Sequence, residues 1–316
     1  MAVASKVETT VMVNRLHIGL VFAMLLLPLT SVYAKSTGLV VTGIGGNEEY
    51  AEQFLRQGAV VTDALRTISE RDEDMVLLQG EDATRQSVLD SIETLTANKP
   101  DTFFLILIGH GTVDAETWRF NLPGDDLNTE DLVSALAPVD APNQLIMVGT
   151  SASGAVLDTL SQPGRYVVTA TKSGGELNAV RFPEFLSKAM ESSVADTDRN
   201  EILTLAEVYR YTNEKTQHYY EDQKLLASEH ARITGENPER IAMARLGSLR
   251  TAKDDPAVAK LLDQRLVLED EFLALKAKKP EMQTQDFYDA LEPLLISIAK
   301  LQQEIDAVTG WVDTNE

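Results

Sequence analysis

The sequence predicts an α/β protein with a mostly parallel sheet flanked by helices, followed by a C-terminal helical hairpin. Short apolar runs bounded by Gly or Asp recur through the first two thirds of the chain, and amphipathic stretches separate several of them. Strands that alternate with helices form parallel sheets, and runs that are apolar throughout are typical of strands covered on both faces. Beyond about residue 222 the chain has few Gly residues and reads as helices.

Five apolar runs predict the strands of the sheet. They are Gly38–Ile44, Met75–Leu78, Phe103–Ile108, Gln144–Val148 and Arg165–Ala170. Helical spacing of apolar residues predicts helices at 48–65, with Tyr50 and Phe54 on one side, and at 83–95. We expect this α/β domain to span residues 36–220.

Residues 221–316 are predicted to form the helical C-terminal region. Phe287, Leu291, Leu294, Ile298, Leu301, Ile305 and Val308 follow the alternating steps of four and three that mark a coiled-coil seam. A second stripe consists of Val258, Leu261, Leu262, Leu266, Phe272 and Leu275. An antiparallel hairpin buries both stripes, whereas an exposed coiled coil would serve self-association or another partner. Pro293 predicts a kink or a helix start.

The first 34 residues predict a signal peptide. Lys6 and Arg15 precede the apolar run 18–29, and Val32 and Ala34 are the small residues of a signal-peptidase site. Cleavage after Ala34 would give a periplasmic or secreted protein. The alternative is an uncleaved N-terminal anchor, but the run is shorter than the roughly 20 residues of a spanning helix.

Composition excludes several classes of function. The 316 residues carry a formal net charge of −21, and such a surface repels the phosphates of nucleic acid. Cysteine is absent, which excludes disulfides, thiolate metal sites and cysteine nucleophiles. The segment GIGGNEEY is no dinucleotide fingerprint, because Glu48 stands where the third Gly would be. No cofactor is required by any motif in the chain.

His110 is the histidine best placed for chemistry. It directly follows the apolar strand FFLILI and lies between Gly109 and Gly111. Ligands of parallel sheets bind outside the carboxyl ends of the strands, where this imidazole is expected. The Gly111 N–H is a candidate oxyanion donor. His218 and His230 occur in polar, helical surroundings, which predicts surface positions for both.

Ser151 follows the next long apolar strand. The residues GTSASG at 149–154 are all small, which predicts a tight strand-to-helix turn that exposes a hydroxyl. The turn is not the G-x-S-x-G elbow, because Ser153 stands where its closing Gly would be. If the two strands are neighbours, His110 and Ser151 converge as a base and a nucleophile must.

These motifs resemble the caspase and legumain group of cysteine peptidases. In that group an apolar strand is followed by a His-Gly pair that contains the catalytic histidine, and the matching segment here is 108–112. The cysteine of that group lies in a turn similar to 150–154. The order GIGGNEEY, GEDATR, LILIGHGT, FNLPGDDL, TSASGA and TATKSGGE is similar to bacterial exported proteins related to legumain-type peptidases. The resemblance covers about residues 38–210 and implies a caspase-haemoglobinase fold. It places His110 as the base and Ser151 where the family has cysteine.

Three interpretations of His110 and Ser151 follow. The first is a catalytically degenerate peptidase fold, a pseudoenzyme that binds a peptide or protein segment. The second is a working serine-type peptidase or hydrolase, and the third is a merely structural turn. A serine hydroxyl ionises far less readily than a thiol and needs an aligned base, usually oriented by an acid. Asp114 and Asp125 are nearby in sequence, but nothing in the sequence assigns that role to either of them.

The segment FNLPGDDL at 120–127 supports two interpretations. Pro123 and Gly124 predict a turn, and two acids follow it. The segment could border the cleft and favour basic peptide side chains. Alternatively, it is a turn that leads into a capped helix beginning at Asn128.

Residues 196–207 match an EF-hand loop at positions 1, 3, 5, 8 and 12. The ligands of a Ca²⁺ ion would be Asp196, Asp198, Asn200, the Ile202 carbonyl and Glu207. Position 6 should be Gly but is Glu201, and a Cβ in the left-handed conformation costs about 1 kcal/mol. The sequence therefore predicts weak Ca²⁺ binding or, alternatively, only an acidic cap before the helix that begins near Leu205.

Overall fold

The computed structural model describes residues 35–114 and 117–310. The strands, in chain order, are β1 (Ser36–Thr42), β2 (Met75–Leu78), β3 (Thr102–Ile108), β4 (Gly111–Asp114), β5 (Thr117–Phe120), β6 (Leu127–Asn128), β7 (Asn143–Gly149), β8 (Arg165–Thr169), β9 (Ile202–Thr204), β10 (Arg232–Thr234) and β11 (Ala242–Arg245). The helices are α1 (Glu48–Arg66), α2 (Arg85–Thr96), α3 (Thr129–Leu136), α4 (Leu157–Leu160), α5 (Phe182–Ala189), α6 (Leu205–Asp222), α7 (Gly247–Thr251), α8 (Pro256–Lys278) and α9 (Thr284–Thr309).

Within the described ranges, six strands form the central sheet in the order β10-β8-β7-β3-β1-β2. All neighbouring strands are parallel except β10, which runs antiparallel to β8. The smaller sheets are β4-β5-β6 and the pair β11-β9. The fold class predicted from the sequence, a mostly parallel sheet flanked by helices, is confirmed.

Helices cover both faces of the sheet because β3 is apolar on both sides. Phe104, Ile106 and Ile108 pack with α1, α5 and α6, whereas Phe103, Leu105 and Leu107 pack with α2 and α3. The strand period of two separates the sets. All seven residues of β3 are buried, as the run FFLILI predicted.

The sheet continues beyond the boundary that the sequence predicted near residue 220. Residues 221–316 were expected to be helical, but β10 joins the central sheet and β11 pairs with β9. Both strands are short and lack an apolar run, because β10 lies at the sheet edge and is exposed or half-buried along its length. Helices prevail only from Gly247 onward.

The C-terminal hairpin consists of α8 and α9, which pack against each other. Phe287, Leu301 and Ile305 of the predicted seam are buried, but Val308 is 47% exposed. In the α8 stripe, Leu266 is 52% exposed, because buried Arg265 occupies the face toward α9 and bonds Gln302. The helix α9 begins at Thr284 and continues through Pro293, so Pro293 does not start it.

No helix in the described ranges is long and apolar enough to cross a membrane. Residues 1–34, which contain the predicted signal peptide, lie outside those ranges.

Candidate active site

The residues His110 and Ser151 follow neighbouring parallel strands. In the register of β3 and β7, Ile108 lies opposite Gly149, so the chain leaves both strands at the same edge of the sheet. The Gly111 main chain packs against the Ser151 carbonyl, and a Cβ on Gly111 would lie 2.4 Å from that oxygen. The two turns therefore contact each other at the carboxyl ends of the strands, where parallel sheets bind ligands.

The His110 imidazole is half-buried and is hydrogen-bonded at one nitrogen. Its Nε2 lies 3.2 Å from the Gly45 carbonyl oxygen, in the connection between β1 and α1. A carbonyl only accepts, so Nε2 carries the hydrogen and Nδ1 holds the free lone pair of the neutral ring. Burial lowers the pKa of His110, and the bond to Gly45 opposes that effect only in part. The ring is therefore neutral at pH 7.

Two aromatic side chains of α1 contact the imidazole. The ring centroids of Tyr50 and Phe54 lie 4.8 Å and 5.1 Å from that of His110, and both pairs are nearly perpendicular, at 78° and 74°. The helical pattern in the sequence placed both residues on one side of α1. It carried no signal that this side would meet a histidine some sixty residues away in the chain.

Ser151 is only 3% exposed as a residue. No hydrogen bond to its hydroxyl occurs within the part of the chain that the structure describes, and His110 is therefore not hydrogen-bonded to it. The adjacent Thr150 hydroxyl accepts a bond of 3.2 Å from the Trp118 indole and donates to the Ser151 carbonyl. The residue is thus largely buried, and the Gly111 segment packs against its carbonyl oxygen.

The turn after Ser151 is tight, as the run of small residues predicted. Ala152 adopts a left-handed conformation with φ of 56°, which costs a residue with a Cβ about 1 kcal/mol. Its N–H donates a 2.8 Å bond to the Glu176 carbonyl. A single helical turn at Ser153–Val156 and then α4 follow. Non-Gly residues in this conformation need a surrounding structure that holds them in place.

Within the described ranges, the Gly111 N–H has no hydrogen-bond acceptor outside the β4–β5 ladder. The Asn121 N–H donates to the His110 carbonyl at 3.1 Å, which makes the facing pair of Gly111 and Phe120 a non-hydrogen-bonded pair in the β4–β5 ladder. The N–H of a residue in such a pair points away from the partner strand. This geometry is consistent with the predicted oxyanion donor.

Among the described residues, no carboxylate is hydrogen-bonded to His110. Asp114 forms a 3.5 Å ion pair with Arg119, and Asp125 is exposed. The group that orients the imidazole is instead the Gly45 carbonyl, which binds Nε2, whereas the acid of a Ser-His-Asp triad binds Nδ1 and leaves Nε2 for the serine. Because a neutral carbonyl stabilises an imidazolium less than a carboxylate does, the arrangement favours the neutral ring.

A second histidine is linked to the Ser151 turn. His230 Nδ1 lies 2.5 Å from Glu176 Oε1, and the main chain of Glu176 bonds Ala152. Burial raises the pKa of Glu176, but hydrogen bonds from the Lys172 N–H and His230 outweigh it, and the net pKa is lowered. The imidazole is 45% exposed. His218 on α6 and His230 are both exposed, as predicted. The contact of His230 with Glu176 was not predicted.

The segment 120–127 packs its apolar side chains into the core and leads into the capped start of α3. Phe120, Leu122 and Leu127 are buried, and the Leu122 N–H donates to Asp126. Asn128 caps α3 in a capping box, as the second interpretation of this segment predicted. The segment also contacts the candidate site, because the Asn121 N–H donates to the His110 carbonyl.

The loop 196–207 gathers acidic side chains. Carboxylate oxygens of Asp196, Asp198 and Glu207 lie within 4.8 Å of one another, although the Asp198 side chain is solvent-exposed. Desolvation in the cluster and the neighbouring carboxylates of Glu207 and Asp196 raise the pKa of Asp198 to about 7. Glu207 is also the capping-box residue of α6, so the acidic-cap alternative describes a contact that is present.

The backbone of this loop turns left-handed at two non-Gly positions. Arg199 and Glu201, at loop positions 4 and 6, have φ of 58° and 60°. The Glu201 carboxylate accepts bonds from Ser248 N–H, Ser248 Oγ and Leu249 N–H at the start of α7. These bonds offset the cost of its conformation, which explains how Glu occupies a position that EF-hand loops give to Gly. Five groups of this loop could hold a cation: the side chains of Asp196, Asp198, Asn200 and Glu207 and the Ile202 carbonyl.

Comparisons with known proteins give structural likeness without sequence matches. No family model matches the chain, and no curated protein matches its sequence. A caspase-1 structure from Spodoptera frugiperda has a TM-score of 0.43 at 9% identity and covers 65% of this chain and 90% of its own. The Drosophila initiator caspase Dronc has a TM-score of 0.37 at 10% identity, with coverages of 68% and 83%. A secreted cysteine protease from Bacteroides thetaiotaomicron, bound to an irreversible peptide inhibitor, has a TM-score of 0.35 at 13% identity, with coverages of 59% and 60%.

Proposed function

We propose that this chain is a peptidase-like pseudoenzyme, whose His110–Ser151 cleft binds a peptide or protein segment while its hydrolytic chemistry is lost or feeble. The observation that supports the proposal is the register of β3 and β7, which places the two turns side by side at the carboxyl edge of the sheet. The contact of Gly111 with the Ser151 carbonyl supports the same placement.

The surroundings of the pair favour binding over hydrolysis. A serine becomes nucleophilic only when an aligned base removes its proton during attack. The hydroxyl of Ser151 has no hydrogen-bond partner in the described chain, its side chain is buried, and His110 has a carbonyl rather than a carboxylate behind it. In subtilisin, loss of the orienting acid alone lowers kcat by a factor of about 3 × 10⁴.

The alternative function is an active serine-type peptidase or hydrolase. In that reaction Ser151 Oγ would attack the scissile carbonyl carbon, and its proton would pass to His110 Nδ1. The Gly111 N–H would hold the oxyanion, and the imidazolium would then protonate the leaving amine as the carbon–nitrogen bond breaks. Among the described residues, neither His110 Nδ1 nor the Gly111 N–H has a hydrogen-bond partner, which favours this alternative.

A fluorophosphonate probe separates the two functions. The proposal predicts that the intact protein shows no stoichiometric phosphonylation of Ser151 by mass spectrometry. Stoichiometric labelling that disappears in both Ser151→Ala and His110→Ala would overturn it and establish the hydrolase. A Ser153→Ala variant controls for reaction at the neighbouring hydroxyl.

We also propose that the loop 196–207 binds Ca²⁺ weakly. The left-handed positions 4 and 6 and the convergence of Asp196, Asp198 and Glu207 support this, because they reproduce the turn that wraps oxygen ligands around one cation. The ion would serve stability, since the loop lies between α5 and α6 and no observation links it to His110.

We also propose that the protein is exported and that two copies associate. The pattern of residues 1–34 supports a periplasmic or secreted location. Exposed apolar side chains on the C-terminal hairpin, among them Leu266 and Leu295, support association of two copies through these helices.

A further inference from the structure

The β1–α1 connection and the first two turns of α1 contact the His110 imidazole at three points. The Gly45 carbonyl accepts from Nε2, and the rings of Tyr50 and Phe54 lie against the imidazole. The two aromatic rings also contact each other, with centroids 5.8 Å apart. All three groups lie within ten residues of one another in sequence, so one local segment surrounds the ring.

This segment is held rigidly relative to His110. Asn47 caps α1 by accepting from the Tyr50 N–H at 2.9 Å. Gly45 packs so closely on the first turn of α1 that a Cβ there would lie 2.2 Å from the Ala51 nitrogen. The Gly43 N–H donates to the Ile108 carbonyl at 2.9 Å, which ties the same connection to the end of β3.

We propose that Tyr50 and Phe54 are positioning residues for His110, which hold the imidazole in the orientation that bonds Nε2–H to Gly45 and leaves Nδ1 as the free nitrogen. An imidazole on a single carbonyl bond could rotate about χ2, which would move Nε2 away from the Gly45 carbonyl and change where Nδ1 points. Two perpendicular rings at 4.8 Å and 5.1 Å oppose that rotation, since edge-to-face pairs have a preferred geometry. The proposal rests on the proposed function, in which His110 is the histidine of the cleft.

Nitrogen-15 NMR of the histidine side chains in the full chain tests this role. The ring signals of His110 are identified by their loss in His110→Gln. In the wild-type protein we expect an observable, slowly exchanging Nε2–H proton. In Tyr50→Leu and Phe54→Leu we expect this proton signal to be lost, because the bond to Gly45 opens. Tyr50→Phe, which keeps the aromatic ring, keeps the signal. Leu55→Ala, at an exposed position of the same helix, is the matched control and keeps the signal.

An unchanged Nε2–H signal in both Leu variants would overturn the proposal. Thermal unfolding of each variant shows whether the fold persists, and Phe54→Met conserves volume without an aromatic ring if Phe54→Leu does not fold. Retention of the signal in folded Phe54→Met would equally contradict a positioning role for that ring. The readout is the imidazole rather than turnover or binding, so failure of the proposed function leaves this test valid.

Discussion

His110 is half-buried against Tyr50 and Phe54, so the folded protein disfavours its charged form. The unfolded chain, where a histidine titrates near 6.5, binds the proton more readily. Burial lowers the folded-state pKa of His110. Between that pKa and about 6.5 the unfolded state binds more protons, so the free energy of unfolding rises with pH across this window.

Replacing His110 removes this pH dependence. We expect the wild-type protein to gain stability in urea unfolding as pH rises from 5 to 7.5, and His110→Asn to gain less over the same range. All other titratable groups are shared by the two proteins, so the difference between the two profiles reports His110. Parallel profiles would contradict the lowered pKa.

At the residue scale, the sequence predicted where His110 and Ser151 lie but not what surrounds them. An apolar strand followed by small residues indicates the carboxyl end of a strand, because Gly and Ser stop the run in a recognisable way. The Gly45 carbonyl and the Glu176–His230 pair depend on contacts between distant segments of the chain, and the residue types in those segments carry no periodic signal for them.

At the element scale, the loop 196–207 gives a direct prediction. We expect Ca²⁺ to raise the Tm of the wild-type protein, with a Kd of about 10⁻⁴–10⁻³ M, in the range of extracellular EF-hand modules. Asp198→Asn removes one charged ligand without removing the cap of α6, and should weaken binding at least about tenfold in calorimetric titration. Asp158→Asn, at an exposed position on α4, is the control.

The outcome distinguishes the two interpretations of this loop. If the loop is only an acidic cap, Ca²⁺ leaves the Tm of the wild-type protein and of both variants unchanged. Equal affinity in Asp198→Asn and the wild-type protein would place any bound Ca²⁺ elsewhere.

Elements whose signal is long and apolar were predictable, and short exposed elements were not. The strand Met75–Leu78 and the start of α1 at Glu48 agree with the sequence prediction because their neighbours punctuate them clearly. The strands β9, β10 and β11 are three or four residues long, and their pairing partners lie tens of residues away. Local pattern cannot identify such strands, since cross-strand contacts determine them.

At the scale of the whole molecule, the C-terminal hairpin joins the α/β domain at its base. Leu249, Val258, Leu262 and Ile305 form one buried cluster, with Ile202 packed against it. Arg265 extends the contact through Asn200 and Gln302. The far part of the hairpin presents apolar side chains to solvent, which include Leu266, Val267, Tyr288 and Leu295.

Two leucines one helical turn apart separate the buried and exposed sides of α8. Leu262 is 5% exposed and Leu266 is 52% exposed. We expect Leu262→Ala to lower the free energy of unfolding by about 2–5 kcal/mol, and Leu266→Ala by less than about 0.5 kcal/mol. Equal losses in chemical denaturation would show that Leu266 is buried, as it would be in a stable dimer.

Sedimentation measures the proposed self-association directly. We expect the wild-type protein to form dimers with increasing concentration and Leu266→Glu/Leu295→Glu to remain monomeric, because an unpaired charge opposes burial in an interface. Lys278→Glu, near the end of α8, controls for the change in charge. A monomeric wild-type protein at all concentrations would contradict association through the hairpin.

A cysteine at position 151 tests whether residues 110 and 151 lie side by side. The chain has no other cysteine, so Ser151→Cys carries a single thiol. A neighbouring imidazole takes up the thiol proton and lowers the pH at which a reactive thiolate forms. We expect the alkylation rate of Ser151→Cys to rise at a pH below the usual thiol pKa of about 8.5, and Ser151→Cys/His110→Ala to need a higher pH. Identical pH–rate profiles for these two proteins would contradict the shared site.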